Sequence, residues 1–278
     1  MSFEFVSDFD IRYSNLTFGI CELSGKKKRA SAMSKNVGVI ICAAGASRRF
    51  GGKRKKPFVD VAGRAAFLRS VELFTSRDDV KQVLLAIAPE DEELVNVKWG
   101  PNLKFYNVQI CFGGAERFDT VKKALELLQD NIDLIAVHDA VRCCVTKKWI
   151  DDCFAAAAKT GAAMLACPVA ATIKKVKDNV ILQTIDRTGL YEAQTPQVFE
   201  ASLLKKAYEN LKNLDADKIS DDSGLIEALG HKVSIVESDS SNIKITQKND
   251  IAIAEAIIKS RAKAIPKGYV GPYAEAQW

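Results

Sequence analysis

The chain has 278 residues, 47% of them hydrophobic, and a formal net charge of +5 at pH 7. This charge is small and spread along the chain, which argues against a dedicated nucleic-acid binder. No apolar stretch reaches the roughly 20 residues of a membrane span, so we expect neither nucleic acid nor a membrane as a partner. The seven cysteines contain no Cys-x-x-Cys pair and mostly lie in apolar runs. This pattern is typical of core cysteines in a reducing compartment.

Residues 1–35 lack the hydrophobic periodicity of the rest of the chain. Acidic residues such as Glu4 and Asp8 disfavour a transit peptide, and there is no apolar signal core. Met33 stands just before the first predicted strand, where translation could begin instead. We therefore predict an N-terminal tail over 1–35, a globular domain over 36–265 and a C-terminal tail over 266–278. We expect a cytoplasmic protein, with plastid import of a longer precursor as the alternative.

The predicted domain opens with a short apolar strand and a loop of very small residues. Val37–Cys42 is an almost continuous apolar run, typical of a strand buried on both faces of a parallel sheet. In Ala43 to Ser47 the side chains are small, so a ligand can accept hydrogen bonds from successive backbone N–H groups. Basic residues follow at Arg48, Arg49 and 53–56. This combination favours a site for a polyanion such as a nucleotide triphosphate.

Two common phosphate-binding loops do not match this stretch. A Walker loop needs a second glycine five residues after the first, and Phe50 stands five residues after Gly45. A dinucleotide fingerprint needs a glycine where the chain has Ser47. The structural alternative is a surface turn followed by a solvated basic run.

Strands and helices then alternate. Hydrophobic patterns predict strands at Val80–Ala88, Phe105–Phe112, Ile132–Val137 and Ala162–Val169, and helices at Ala65–Thr75, Glu116–Gln129 and Lys147–Lys159. This alternation predicts an α/β, Rossmann-like fold with a mostly parallel sheet flanked by helices. Ligands of such folds bind beyond the carboxyl ends of the strands, which is where Gly113-Gly114 and His138-Asp139 are placed.

The pattern changes at Ala171–Arg187, a polar, alternating segment with a turn signal at Asp178-Asn179. A two-stranded ribbon is marginally stable alone, so we predict a projecting β-arm that packs on a partner subunit. The chain then returns through Tyr191–Phe199. Later patterns predict helices at Leu203–Leu211, Asp221–Leu229 and Asn249–Arg261, and short strands at Val233–Val236 and Asn242–Ile245.

Two motifs at strand ends contain candidate ligands. Gly113-Gly114 lets the backbone approach a planar base, and Thr120 in the following helix is placed to bond a ribose or base edge. Asp139 and Arg142 follow a buried strand, and such a carboxylate can hold Mg²⁺ together with phosphate oxygens. The alternative for the glycine motif is an ordinary strand-to-helix turn. The alternative for Asp139 and Arg142 is a structural ion pair.

These motifs resemble a known family. The loop at Ala43 to Gly45, with Arg49 and Lys56, resembles the signature of nucleotidyltransferases that join a sugar phosphate to a nucleotide. Further motifs follow in the order typical of the 2-C-methyl-D-erythritol 4-phosphate cytidylyltransferase family, over about residues 37–262. They are Gly113 to Arg117, His138 to Arg142, Ala171 to Lys174, Thr184 to Leu190, Ala193 to Gln197, Ser220 to Asp222 and Asn242 to Thr246.

Members of this family form CDP-methylerythritol from CTP and methylerythritol phosphate, with release of pyrophosphate. The resemblance implies a CTP-binding set of Ala43, Ala44, Gly45, Arg49, Lys56, Gly114, Thr120 and Asp139. It implies a set around the sugar phosphate of Arg142, Thr172, Arg187, Ser220 and Lys244. Catalysis would rest on Arg49, Lys56, Lys244 and Asp139, with Mg²⁺ beside Asp139. In a homodimer, the arm of the other subunit would supply Thr172 and Arg187.

The chain departs from the family pattern at several positions. Ala115 replaces a common acidic residue, which leaves the cytosine contacts open. Thr120 and Ser220 exchange one hydroxyl residue for another. The remaining departures are Phe50 for Met, Pro57 for Gln and Cys143 for Pro.

Two other functions are alternatives. Ribitol-5-phosphate cytidylyltransferase shares the fold and a His-Asp-Ala-Val-Arg motif, but the stretch from Thr184 to Leu190 matches the methylerythritol pattern. A non-catalytic nucleotide-binding module would not need Asp139 together with Lys56 and Lys244.

Overall fold

The computed structural model describes residues 35–45, 50, 55–213 and 220–263, and the statements below concern these ranges. The two predicted tails fall almost entirely outside the described residues, as does Arg49. No helix in the described ranges is long and apolar enough to cross a membrane.

The described chain alternates strands and helices, joined by short 3₁₀ turns at Lys56–Phe58, Pro89–Asp91 and Leu211–Asn213. The strands are β1 (Val37–Cys42), β2 (Asp60–Val61), β3 (Arg64–Ala65), β4 (Val80–Ile87), β5 (Val108–Phe112), β6 (Leu134–Asp139), β7 (Ala162–Pro168), β8 (Ile173–Lys177), β9 (Val180–Ile185), β10 (Tyr191–Glu200) and β11 (Ser234–Glu237). The helices are α1 (Ala66–Thr75), α2 (Glu92–Phe105), α3 (Arg117–Leu125), α4 (Lys147–Thr160), α5 (Ala201–Asn210), α6 (Asp222–Ala228) and α7 (Asn249–Lys263).

Of the described strands, seven form one sheet in the order β11-β7-β10-β6-β1-β4-β5. Strand β10 runs antiparallel to β6 and β7, and the other neighbours pair in parallel. Parallel pairing requires crossover connections, which the intervening helices provide. The predicted α/β fold with a mostly parallel sheet is therefore confirmed.

Apolar side chains of β1 point alternately into two cores, one on each face of the sheet. Val39 and Ile41 pack on the face covered by α1, α2 and α4. Ile40 packs on the opposite face, against α3, α5 and α6. This alternation follows from the two-residue period of a strand. Each large apolar side chain that is fully buried contributes about 1.5–3 kcal/mol to stability.

Helix α2 is absent from the predicted elements. Its Gly100-Pro101 pair is typical of a turn, so the sequence gives a misleading signal there. Val95, Trp99 and Leu103 recur every fourth residue and are buried in the core, and this packing holds the helix. The predicted strand start at Phe105 is therefore wrong, because Phe105 is the last residue of α2.

The strand predicted at Asn242–Ile245 is also wrong. These residues follow an irregular path. Their backbone groups bond to a neighbouring loop instead of a strand: Ile245 N–H donates to Val141 O over 3.1 Å, and Arg142 Nη1 donates to Asn242 O over 2.7 Å.

The predicted hairpin at Ala171–Arg187 is confirmed. Strands β8 and β9 pair antiparallel, outside the main sheet. Asp178 and Asn179 form the turn with φ values of 50° and 61°, a left-handed conformation that Asp and Asn tolerate better than most residues. Nearly every side chain of the two strands is exposed.

Candidate functional site

The carboxyl ends of β1, β5 and β6 surround a cavity of about 570 Å³. This is where an open, mostly parallel sheet is expected to bind its ligand. The predicted residues that line the cavity are Ala43, Ala44, Gly45, Lys56, Gly114, Thr120, Asp139 and Lys244. Five separate segments of sequence thus meet at the predicted place.

Small residues form one wall of the cavity because two loops approach closely there. Ala43 N–H donates to Ala86 O, and Gly113 N–H donates to Ile87 O, each over 2.8 Å, so both loops continue the strand pairing. A Cβ atom on Gly113 would lie 2.3 Å from the Ala44 Cβ. Only glycine fits at this position without moving the opposite loop.

Thr120 shapes the loop that follows β5. Its Oγ1 accepts a hydrogen bond from Gly114 N–H over 3.0 Å and donates to Glu116 O over 3.1 Å. The side chain is buried at the edge of the cavity. In the structure, the hydroxyl predicted to meet a nucleotide therefore orients the glycine loop.

Asp139 lies at the floor of the cavity, at the end of β6. Its Oδ2 is 2.7 Å from Lys244 Nζ and 3.8 Å from Arg142 Nε. Burial alone would raise the pKa of Asp139, but the charges of Lys244, Arg117 and Arg142 outweigh burial and lower the pKa to about 2. Asp139 is therefore an anion at neutral pH, with cations around it.

The Gln-Thr-Pro-Gln stretch of β10 supports Asp139 from behind. Asp139 N–H donates to Thr195 Oγ1 over 3.0 Å, and the same oxygen lies 3.1 Å from His138 Nδ1. Burial lowers the pKa of His138 to about 4, so its ring is neutral at pH 7. His138 is fully buried behind the cavity and is not among the described residues that line it.

The basic run after the first loop divides between two environments. Lys55 Nζ is 2.7 Å from Glu90 Oε1 and 2.8 Å from Asp91 Oδ2, and these carboxylates raise its pKa against the opposing effect of burial. Lys56 lines the cavity. The charge predicted along this run is thus partly neutralised by local ion pairs.

The structure does not bring the remaining predicted residues to the cavity wall of their own chain. Thr172 and Arg187 are exposed at the base of the arm, where Arg187 Nη1 donates to Ala170 O. Ser220 is exposed just before α6. Arg142 is partly buried behind Asp139, bonded to the backbone of residues 193 and 242.

Arg117 also lines the cavity, although it is missing from the predicted site. Its Nη2 is 2.6 Å from Oδ2 of the fully buried Asp222, whose Oδ1 accepts a 2.5 Å hydrogen bond from Tyr208 Oη. Burial would lower the pKa of Arg117, but Asp222 raises it above its usual range. The available signal was the Glu116-Arg117 pair after the two glycines.

Asp139 lines the cavity together with Lys56 and Lys244, and the carboxylates of Glu90 and Glu116 also lie in its wall. The described residues contain no cluster of three or more His, Cys, Asp or Glu side chains able to hold a metal by themselves. Mg²⁺ is commonly bound by one or two carboxylates together with substrate phosphates. An ionised Asp139 at the cavity floor fits a cation that arrives with a nucleotide.

Comparisons with known proteins identify the family of this chain. The family described as 2-C-methyl-D-erythritol 4-phosphate cytidylyltransferase matches residues 37–260. A relative of that name from Endomicrobium trichonymphae is 43% identical over 223 residues, which are 80% of this chain and 98% of the relative.

Solved structures give the same result. The 4-diphosphocytidyl-2C-methyl-D-erythritol synthase from Anaerococcus prevotii aligns with a TM-score of 0.70 and 28% identity, over 81% of this chain and 97% of its own. The 2-C-methyl-D-erythritol 4-phosphate cytidylyltransferase from Thermus thermophilus aligns with a TM-score of 0.67 and 30% identity, over 81% and 99%. The sequence and structure comparisons each cover about four fifths of the chain, and the chain belongs to the 2-C-methyl-D-erythritol 4-phosphate cytidylyltransferase family.

Proposed function

We propose that the cavity transfers CMP from CTP to 2-C-methyl-D-erythritol 4-phosphate, giving CDP-methylerythritol and pyrophosphate, as in the non-mevalonate route to isoprenoids. The observation that carries this proposal is the meeting of Lys56, Asp139 and Lys244 beside a loop of small residues. Such a site offers backbone donors and cations to a triphosphate.

In this proposal the cytidine lies along the loop of residues 43–45, next to Gly114 and Thr120. Lys56 and Arg49 contact the triphosphate. Lys244, half-exposed and directed at Asp139, is close to the α-phosphate. This arrangement is supported by the fact that the residues of the proposed CTP-binding set that the structure describes all line one cavity.

Positioning and charge supply the catalysis. A phosphate oxygen of the sugar phosphate attacks the α-phosphorus of CTP in line, the new P–O bond forms, and pyrophosphate leaves with the electrons of the broken P–O bond. The attacking phosphate is already ionised at pH 7, so no general base is required. Lys56 and Lys244 stabilise the negative charge on the transferring group, and one such contact contributes about 3–4 kcal/mol in a site closed to water.

Asp139 is the residue proposed to hold Mg²⁺. The ion would neutralise charge on the phosphate oxygens of the nucleotide. Asp139 itself orients the ammonium of Lys244 through their 2.7 Å contact.

We further propose a homodimer in which the arm of one subunit completes the site of the other. The support is that Val176, Val180 and Ile181 on the arm are 52%, 61% and 60% exposed. Contiguous exposed apolar side chains are typical of protein interfaces. Arg187 and Thr172 at the base of the arm would then join Arg142 and Ser220 around the sugar phosphate, and the planar guanidinium of Arg187 suits a phosphate.

The test is the release of pyrophosphate from CTP with methylerythritol phosphate, with ribitol 5-phosphate, and with no acceptor. We expect steady pyrophosphate release only when methylerythritol phosphate is the acceptor. Release with ribitol 5-phosphate only would reassign the acceptor, and CTP binding without release under any condition would make the chain a non-catalytic nucleotide-binding module.

A further inference from the structure

Lys244 lies on a segment that has no regular secondary structure, although its position relative to Asp139 is well defined. Residues 243–246 belong to neither a strand nor a helix. The Lys244 side chain is 40% exposed, and its Nζ is 2.7 Å from Asp139 Oδ2. A lysine side chain is long and flexible. The position of its ammonium therefore depends on what fixes the backbone on either side.

Asn242 fixes the segment on its N-terminal side. The residue is fully buried, and its Nδ2 donates to Gln194 Oε1 over 2.7 Å and to Thr195 O over 3.2 Å. The backbone carbonyl oxygen of Asn242 accepts from Arg142 Nη1 over 2.7 Å. Beyond Lys244, Ile245 N–H donates to Val141 O over 3.1 Å. The backbone is thus attached to the fold on both sides of the lysine.

Gln194 connects this attachment to the central sheet. It belongs to β10 and is 3% exposed. Its Oε1 also accepts from Ser238 Oγ over 2.9 Å, and its Nε2 donates to Asp239 O over 3.3 Å. Neither Gln194 nor Asn242 is among the described residues that line the cavity. Both act at a distance from any bound substrate.

We propose that Gln194 and Asn242 are positioning residues for the transfer reaction: together they clamp the segment that carries Lys244 and so hold its ammonium against Asp139. This inference rests on the proposed function of the cavity. Hydrogen bonds in a buried network are strong and directional, so they define one backbone arrangement. A misplacement of about 1 Å at a reacting group can reduce a rate by about 10².

The first test compares Asn242→Ala and Gln194→Ala with the control Gln247→Ala. Gln247 is exposed and lies on the same stretch of chain. We expect kcat to fall at least about tenfold in the two clamp variants while the Kd for CTP changes less than about threefold. The control should keep the wild-type kcat. Gln194→Met, which removes the amide but keeps the volume, tests the same bonds if an alanine variant does not fold.

A double-mutant cycle separates positioning from general structural support. If the clamp acts through Lys244, adding Asn242→Ala to Lys244→Ala should lower kcat no further, since the lysine is already gone. An undiminished further fall in the double variant would overturn the proposal.

A second readout does not depend on activity. Reductive methylation with formaldehyde and cyanoborohydride, followed by mass spectrometry, reports how freely the Lys244 amine reacts. We expect its labelling rate to rise severalfold in Asn242→Ala and Gln194→Met and to stay unchanged in Gln247→Ala. Unchanged labelling in the clamp variants would overturn the proposal. If the wild-type protein has no transfer activity, this measurement still decides whether the clamp exists.

Discussion

The cavity and the arm of this chain use polar side chains in opposite ways. At the cavity, the largely buried side chains of Asp139 and Arg117 each form an ion pair within the chain. On the arm, Thr172, Lys175 and Arg187 are exposed, and so are the apolar side chains beside them. One chain is thus sufficient to organise the charges of the cavity. The arm has surface that a single chain leaves uncovered.

The largest effect should come from the cavity. Lys244→Ala removes a cation that stabilises the transferring group, so we expect kcat to fall by at least about 10². The side chain is 40% exposed, so the melting temperature should change little. Steady-state kinetics and thermal unfolding measure both quantities.

Lys248→Ala is the matched control for this prediction. Lys248 is an exposed lysine four residues later, away from the cavity lining. It should keep the wild-type kcat. If Lys244→Ala also keeps it, the charges of the cavity do not perform the catalysis and the comparison with the arm loses its basis.

The second prediction concerns the arm. We expect Arg187→Ala to reduce activity by about tenfold to a hundredfold, because it removes a charged contact to the sugar phosphate. Lys56→Ala should lose at least about 10² in activity, as Lys244→Ala does, because it removes a cation from the cavity. When the two variants are dissociated, mixed in equal amounts and reassociated, each mixed dimer contains one site with both lesions and one intact site. Random mixing should restore about a quarter of the wild-type activity.

Subunit exchange must be shown independently, for example with differently tagged variants. If exchange occurs and activity does not return, Arg187 serves its own chain. The arm would then belong with the cavity, and the contrast between the two regions would be wrong.

A third prediction concerns the protonation of Asp139. Its pKa is about 2 in the folded chain, below the ordinary value of about 3.9. The stabilisation is therefore fully present above about pH 5, and it is lost as the pH falls from about 4 to about 2. Linkage gives an upper contribution of about 2.6 kcal/mol to the free energy of unfolding.

Urea unfolding of wild type and Asp139→Asn at pH 6 and pH 3 checks this prediction. The difference in unfolding free energy between the two proteins should shrink by about 1 kcal/mol at the lower pH. In a Lys244→Ala background the shrinkage should be smaller, because Lys244 is the charge that lowers this pKa most. An equal difference at both pH values would mean that the carboxylate is not held as an anion by its neighbours.

Much of this organisation could be predicted from sequence because the signals are local. The buried run of β1 and the Asp139 that ends β6 each follow from a short pattern, and the parallel sheet then brings the strand ends together. The turn at Asp178-Asn179 is equally local. The positions of the strands, the loop and the hairpin could therefore be predicted from sequence patterns.

The rest depends on contacts that no short pattern contains. Helix α2 forms despite Gly100-Pro101, because Trp99 and its neighbours are buried by distant residues. Lys55 is a cation in the sequence, but Glu90 and Asp91 neutralise it in the fold. Arg117 was missed because its place in the cavity wall depends on Asp222, 105 residues away along the chain.

The last prediction, with the smallest expected effect, concerns how closely the wall of the cavity is packed. Gly113→Ala would place a Cβ atom 2.3 Å from the Ala44 Cβ and 2.9 Å from Thr120 Oγ1, so the loop of residues 43–45 must shift. Such overpacking costs about 1–3 kcal/mol, and we expect about a tenfold weaker Kd for CTP, which corresponds to 1.4 kcal/mol. Calorimetry with CTP and urea unfolding measure the two effects.

Gly100→Ala in α2 is the control, since a Cβ there meets nothing within 4 Å. Replacing a glycine inside a helix by alanine should stabilise the chain by about 0.5–1 kcal/mol and leave CTP binding unchanged. The same change from glycine to alanine is therefore expected to lower stability at Gly113 and to raise it at Gly100. If Gly113→Ala binds CTP as tightly as Gly100→Ala does, the small-residue wall is not a contact surface for the nucleotide, and the order seen in the cavity is there for stability alone.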